Sequence, residues 1–339
     1  MNKICVVYSH HKLGDLIWQL PYIKAISYHH KSKVDLIVRK KTQSKEILCD
    51  TSYINHIYYN DFRKSFFYWI EVFKLFFIFK KKKYNYIYFL DKINRPAIAA
   101  YFAKIPNRIG LGIGNQKKWL TNKLYLTEND NNKLDYSDQS RKFLKINKIK
   151  IEDLKPSFEI KNNTLNKIPI KISTPINQNI CFGVDSFEKF KIWKEENFAE
   201  LADLLFNHKF GKNFFLVSDP SRPEYPRQIM SSSKNKIFIN CSSLNLLEII
   251  KVIKNCKMYI GNNSGPLNLA SALGIKSFGL IAADNSDELK NSNIICITPI
   301  NYNKKNFTRD KIVRDRSNMD NLSVDRVFSY IKNHYKFLS

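Results

Sequence analysis

Ten short apolar runs, most of them separated by longer stretches of helical period, constrain what this chain can fold into. The runs are Ile4–Tyr8, Val34–Val38, Ile57–Tyr59, Tyr86–Leu90, Ile180–Phe182, Phe214–Val217, Ile237–Asn240, Met258–Ile260, Lys276–Leu280 and Ile294–Thr298. Stretches such as Leu16–His29, Phe198–Asn207 and Leu244–Asn255 repeat their apolar residues at a spacing of about 3.6. A strand that is apolar throughout is buried on both faces, so it needs helices above and below it; that is the condition of a parallel sheet. Residues 161–178 (KNNTLNKIPIKISTPINQ) are polar, carry two prolines and interrupt the alternation. The pattern predicts an α/β protein of two domains of comparable size: residues 1–165, a linker at 166–178, and residues 179–322, with 323–339 following.

The length of 339 residues suits two ordinary domains, and 44% hydrophobic residues exclude a largely disordered chain. The formal charge of +26 points to anionic company, although the lysines are spread along the whole chain. No helix-turn-helix, RNP or zinc-finger pattern accompanies that charge, so no nucleic-acid partner is expected. The cysteines Cys5, Cys49, Cys181, Cys241, Cys256 and Cys296 form no CxxC pair, and several sit in apolar runs. They read as free thiols in a reducing compartment, with neither a disulfide framework nor a metal site. The chain shows no signal-peptide core and no uncharged apolar run long enough to span a membrane. A cytoplasmic location is expected.

Only ten glycines occur, and several mark the candidate sites. In MYIGNNSGPLNLASALGIKSFGL, residues 258–280, a strand leads through Asn263 and Ser264 into a helix opened by Gly265 and Pro266. Ser264 suits an N-cap, and the free N–H groups of such a helix favour a bound phosphate that Gly265 lets approach. In SHHKLGDLIWQLPYIKAI, residues 9–26, Gly14 suits a tight turn and Asp15 opens a helix. That carboxylate is either a general base or an N-cap. His10 and His11 read as loop residues. In ICFGVDSFEKFKIWKEENFAEL, residues 180–201, a strand leads into a polar loop with Ser186, Lys189, Lys191 and Trp193. A lysine there suits a diphosphate, or is simply solvated.

These blocks, in this order, resemble glycosyltransferase family 9, the lipopolysaccharide heptosyltransferases. LGDLIWQLPYIKAI is similar to that family's leucine-glycine-aspartate helix start. DKINRPAIAAYFAKIPNRIGLG resembles its middle segment, and KIWKEENFAELADLL its Lys-x-Trp before a helix. NNSGPLNLASALGIKSFGL resembles its Asp-Thr-Gly-x-x-His-Leu-Ala-x-Ala-Leu-Gly hallmark, and NMDNLSVDRVFSYI its closing helix. The resemblance implies a GT-B fold, with two Rossmann-like domains facing each other across a cleft. It implies an inverting, metal-independent transfer of a sugar, heptose or related, from a nucleotide-sugar such as ADP-heptose to a lipopolysaccharide or lipooligosaccharide acceptor, with no cofactor.

By position, the resemblance makes Asp15 the catalytic base. Lys191 holds the donor phosphates with Ser186, Ser264 and Gly265; Glu224 lies near the nucleoside; Asn263 and Asn268 complete the donor site. Lys12, Gly14 and Arg95 are the implied acceptor contacts. Asn263 and Asn268 stand where the family has aspartate and histidine. An amide at 263 can donate as well as accept, so the preferred sugar is expected to differ, and Asn263→Asp to raise use of ADP-heptose. A transferase for another surface glycan, or a non-catalytic nucleotide-sugar-binding homologue, fits the same residues.

The segment FRKSFFYWIEVFKLFFIFKKKK, residues 62–83, places Phe62, Phe66, Trp69, Phe73, Phe76 and Phe77 near one helical stripe ahead of Lys80–Lys83. Glu71 and Lys74 interrupt it. It reads as a helix lying on the cytoplasmic face of an anionic inner membrane, or as a core helix with a solvated tail.

Overall fold

A computed structural model describes residues 2–62, 68–307 and 315–336. The chain divides into two compact units, Met1–Lys161 and Asn162–Ser339. Each is built on a parallel sheet, as the apolar runs require.

The first sheet has the order β3-β2-β1-β4-β5, with β1 at Ile4–Val7, β2 at Val34–Val38, β3 at Ile54–Tyr59, β4 at Tyr86–Phe89 and β5 at Asn107–Gly110. Strands β1 and β2 are buried at every position. Asp35, the one charged residue within them, accepts from the Tyr84 hydroxyl at 2.7 Å and the Asn55 amide at 2.9 Å, so its burial leaves no lone carboxylate. Strand β5 was not expected, because NRIG has too few apolar residues to read as a strand. It is an edge strand. Its outer side is closed by Thr121, whose N–H donates to Arg108 O and whose Oγ1 accepts from Arg108 N–H, both at 2.8 Å.

The expected helix over Leu16–His29 is two helices, Leu13–Ile17 and Leu20–His29. Pro21 has no N–H to continue the ladder, so the chain bends at Trp18 and Gln19 and restarts with proline in its first turn. Gly14 is consequently the second residue of a helix and not a tight turn; its carbonyl accepts from Trp18 N–H at 3.1 Å.

The second sheet has the order β11-β10-β9-β6-β7-β8. Its strands are β6 at Asn179–Gly183, β7 at Asn213–Val217, β8 at Phe238–Asn240, β9 at Met258–Asn262, β10 at Lys276–Leu280 and β11 at Ile294–Ile297. This is the doubly wound arrangement, and the strand order reverses between β6 and β9. Its core gathers Phe182, Trp193, Phe198 and Phe214 with Val327 and Ile331 of the closing helix, Val324–Lys336. Within the polar stretch 166–178, the Ile168 carbonyl accepts from Lys251 Nζ at 2.9 Å and Thr174 O from the Asn179 amide at 3.2 Å. All six cysteines are free.

Candidate functional site

In an open parallel sheet, ligands bind beyond the carboxyl ends of the strands at the point where the order reverses. In the second unit that point lies between β6 and β9. Gly183 and Gly261 are register partners there. A Cβ on Gly261 would stand 2.6 Å from Gly183 O, and one on Gly183 only 1.6 Å from the Tyr259 hydroxyl. The two glycines are therefore required for the strands to close on each other.

The loops beyond three adjacent strands converge at this point. From the loop after β6, Ser186 Oγ donates to Asn263 O at 3.1 Å. From the same loop, Lys191 Nζ lies 2.6 Å from Asp284 Oδ1 and 2.6 Å from Glu188 Oε2. Asp284 follows β10, and its Oδ2 accepts from Asn263 Nδ2 at 3.1 Å. Burial alone would pull the Lys191 ammonium down, but Asp284 and Glu188 outweigh it and hold the lysine above its ordinary value. Burial pushes the Asp284 carboxyl up, against the opposing pull of Lys191 and the Asn263 amide.

The helix Gly265–Ala272 begins beside this cluster, with Ser264 extended at its N-cap position. The Ser264 side chain does not cap the helix, contrary to expectation. Its buried Oγ, like Asn268 Oδ1, makes no hydrogen bond. Nothing lies within 4 Å of where a Gly265 Cβ would stand, so the helix N-terminus opens onto free space. An open N-terminus beside an ammonium can take a phosphate without a metal.

Trp193 stands in the loop before the helix Glu195–Asn207, but its side chain does not share that loop's polar face. It is wholly buried, its indole N–H donates to Leu322 O at 2.7 Å, and its ring meets Phe198 edge-on at 5.1 Å. It anchors the segment that carries Lys191. Lys189 is exposed. Glu224 is also exposed, at the start of the helix Glu224–Ser232 beyond β7. Asp284 went unnoticed in the sequence; its one signal is its place just past an expected strand.

In the first unit the order reverses between β1 and β4. Ser9 N–H donates to Asp91 Oδ2 at 2.5 Å across that point, and Gln116 Nε2 to Asp91 O at 2.8 Å. Asp15 lies in the first turn of Leu13–Ile17, partly exposed, behind Lys12 at the N-cap position. His10 stands in the loop after β1, as expected. Its Nδ1 lies 3.9 Å from Asp15 Oδ2, and its ring packs between Tyr8 and Tyr136, with centroids at 5.0 and 4.0 Å. Burial pulls His10 below its ordinary value, against the pull of Asp91 and Asp15. Arg95 is buried in the helix Asn94–Phe102, stacked over Tyr68 at 5.3 Å, and its Nη1 makes no hydrogen bond. Burial and Arg39 lower its pKa.

The helix Tyr68–Lys82 buries Glu71, Val72, Leu75 and Phe79. Trp69, Phe73 and Phe77, four residues apart, are 57%, 58% and 65% exposed. The expected stripe is narrower than the sequence suggested: Phe62 is buried, Phe76 packs partly on the core, and Phe66 lies outside the described residues. Glu71 faces inward and does not interrupt the outer face. Among the described residues, no helix is long and apolar enough to cross a membrane, and no His, Cys, Asp and Glu cluster could hold a metal ion.

The family model for glycosyltransferase family 9 (heptosyltransferase) matches residues 72–315. The chain belongs to glycosyltransferase family 9. This family 9 glycosyltransferase is similar in fold to the Escherichia coli ADP-heptose lps heptosyltransferase II, at 17% identity and a TM-score of 0.75, over 98% of each chain. A family 9 glycosyl transferase from Veillonella parvula gives 17% identity and 0.78, over 98% of this chain and 96% of that one. The E. coli heptosyltransferase WaaC with ADP-2-deoxy-2-fluoro heptose gives 14% and 0.73, over 98% and 99%. These likenesses establish the GT-B fold. No curated protein sequence matches the chain.

Proposed function

We propose that this family 9 glycosyltransferase moves heptose, or a closely related sugar, from ADP-heptose to a lipid-linked saccharide of the lipopolysaccharide type, with inversion and without a metal. The observation that carries the reading is the convergence of Lys191, Asn263 and the open N-terminus of Gly265–Ala272 at the β6/β9 reversal. The relatives supply the donor: one is an ADP-heptose heptosyltransferase, and another is described with an ADP-heptose analogue.

Lys191, Ser264 and Gly265 take the diphosphate, Ser186 and Asn268 support that turn, Asn263 meets the sugar, and Glu224 lies toward the nucleoside. Lys12, Gly14 and Arg95 serve the acceptor, whose anionic groups suit the basic chain. Asp15 removes the proton of the acceptor hydroxyl as its oxygen attacks the anomeric carbon. The bond to the diphosphate breaks on the opposite face, and its electron pair leaves with ADP. Lys191 and the helix N-terminus stabilise the charge that grows there. The outer face Trp69, Phe73 and Phe77, with Lys80–Lys83 after it, suits the cytoplasmic surface of the inner membrane, where such an acceptor is held.

The test is incubation with ADP-heptose and a heptose-free lipid-linked acceptor in the presence of EDTA. ADP release, a mass gain of one heptose and an inverted anomeric centre are expected. Transfer from a different nucleotide-sugar only would reject the donor, and loss of activity in EDTA would reject the metal-free reaction.

A further inference from the structure

Asp284 touches both Lys191 and Asn263, and no role has yet been given to it. Its side chain is 12% exposed, and its two oxygens are divided, Oδ1 to the ammonium at 2.6 Å and Oδ2 to the amide at 3.1 Å. An ionised carboxylate only accepts hydrogen bonds, so Asn263 must turn its NH₂ toward Asp284. The Asn263 carbonyl oxygen is then directed away from Asp284. The Asn263 main chain is held independently, its carbonyl accepting from Ser186 Oγ at 3.1 Å. Lys191 has three N–H groups; Asp284 and Glu188 take two and leave the third for a phosphoryl oxygen.

We propose that Asp284 is a positioning residue of the donor site: it aims the Lys191 ammonium and sets the Asn263 amide so that an uncharged side chain presents an acceptor to a sugar hydroxyl. The donor class this selects is a neutral polyhydroxylated sugar, and a carboxylate-bearing sugar is disfavoured. The inference rests on the proposed donor site. It also reverses the sign expected for Asn263→Asp, since that change would set two carboxylates against each other at the present 3.1 Å contact.

The chain of bonds predicts what each variant does. In Asp284→Asn, the new amide keeps its oxygen toward Lys191 and donates to Asn263, which must flip and present NH₂ outward. In the double variant Asn263→Asp/Asp284→Asn, the amide at 284 accepts from Lys191 and donates to the carboxylate at 263, and an outward acceptor returns. The experiment measures four proteins (wild type, both single variants and the double variant) by thermal unfolding without ligand, ADP binding by calorimetry, and transfer kinetics with ADP-heptose.

Asp284→Asn should lower kcat by roughly 5- to 100-fold, while ADP affinity holds or rises because a nearby negative charge is gone. Asn263→Asp should weaken ADP binding and lower Tm at about pH 8, with the Tm recovering toward about pH 5 as one carboxyl is protonated. The double variant should regain Tm, ADP affinity and turnover relative to Asn263→Asp. A double variant no better than the worse single variant overturns the proposal, and so does unchanged turnover in Asp284→Asn. The unfolding arm needs no donor. A wild type inactive with ADP-heptose therefore rejects the proposed function, while the Tm pattern still decides whether Asp284 sets the amide.

Discussion

The backbone N–H of Trp193 donates to Asn262 Oδ1 at 3.0 Å, which ties the segment after Lys191 to the end of β9. Asn262 is fully buried at the last position of that strand. Asn262→Ala removes the acceptor and leaves a buried N–H without a partner, at a cost of about 1–3 kcal/mol. Denaturant unfolding should show that loss. ADP titration should show weaker binding, because Lys191 stands two residues before the released N–H. Unchanged ADP affinity in a destabilised protein would separate this tie from the proposed donor site.

A second prediction concerns acid stability. His30 Nε2 meets the Tyr88 hydroxyl at 2.7 Å, and burial, helped by His29, pulls the His30 pKa down to about 4. The unfolded chain has an ordinary histidine near about 6.5. Below that value the unfolded state binds a proton that the folded state refuses, so stability falls as pH drops from about 6.5 to about 4. His30 is only half-buried, so screening holds the effect to on the order of 1 kcal/mol, or about 2–4 °C in Tm. His30→Gln keeps an acceptor for Tyr88 and cannot titrate. Its Tm should fall less over that window than the wild type's; parallel curves would assign the acid loss to other groups.

The residues of the proposed donor site could be singled out in the sequence because a strand–turn–helix leaves a local trace. Ser264, Gly265 and Lys191 each follow an apolar run, and Gly183 and Gly261 stand out in a glycine-poor chain. Asp284 left no such trace. Its proposed role depends on β10 lying beside β9, a property of strand order that no local window of sequence carries. The burial of Trp193 was not legible, because a tryptophan among lysines reads as a polar-loop residue until its indole finds Leu322, more than a hundred residues away. Strand β5 was missed because Thr121 supplies the hydrogen bonds of its outer edge, and side-chain pattern does not reveal that.

The outer face of Tyr68–Lys82 gives a third prediction. Trp69, Phe73 and Phe77 expose aromatic surface beside Lys74 and ahead of Lys80–Lys83. Each basic residue near an anionic leaflet adds about 1 kcal/mol, and buried aromatics add an apolar term that salt does not screen. The protein should float with vesicles containing phosphatidylglycerol and not with neutral ones. Changing Trp69, Phe73 and Phe77 together to serine should abolish flotation without lowering Tm, since all three are already exposed. Flotation unaffected by that triple change would move the contact elsewhere on the basic surface.

The last prediction bears on Asp15. Its carboxylate is 31% exposed and 3.9 Å from a ring nitrogen of His10, which burial keeps below its ordinary histidine pKa. The proposed donor contacts all lie in the second unit, whereas Asp15 lies in the first, so binding and chemistry can be separated by substitution. Asp15→Asn keeps the shape, removes the basicity, and should reduce kcat by about 10²–10⁴-fold. The affinity for ADP should stay within about threefold, which is under 1 kcal/mol. The acid limb of the wild-type kcat/KM profile should vanish in Asp15→Asn. His10→Gln, which is neutral at every pH, should retain most of the turnover and the same acid limb. If His10→Gln loses as much as Asp15→Asn, the imidazole is the base and the carboxylate only orients it. If Asp15→Asn turns over normally, Asp15 serves the start of its helix and the base lies elsewhere.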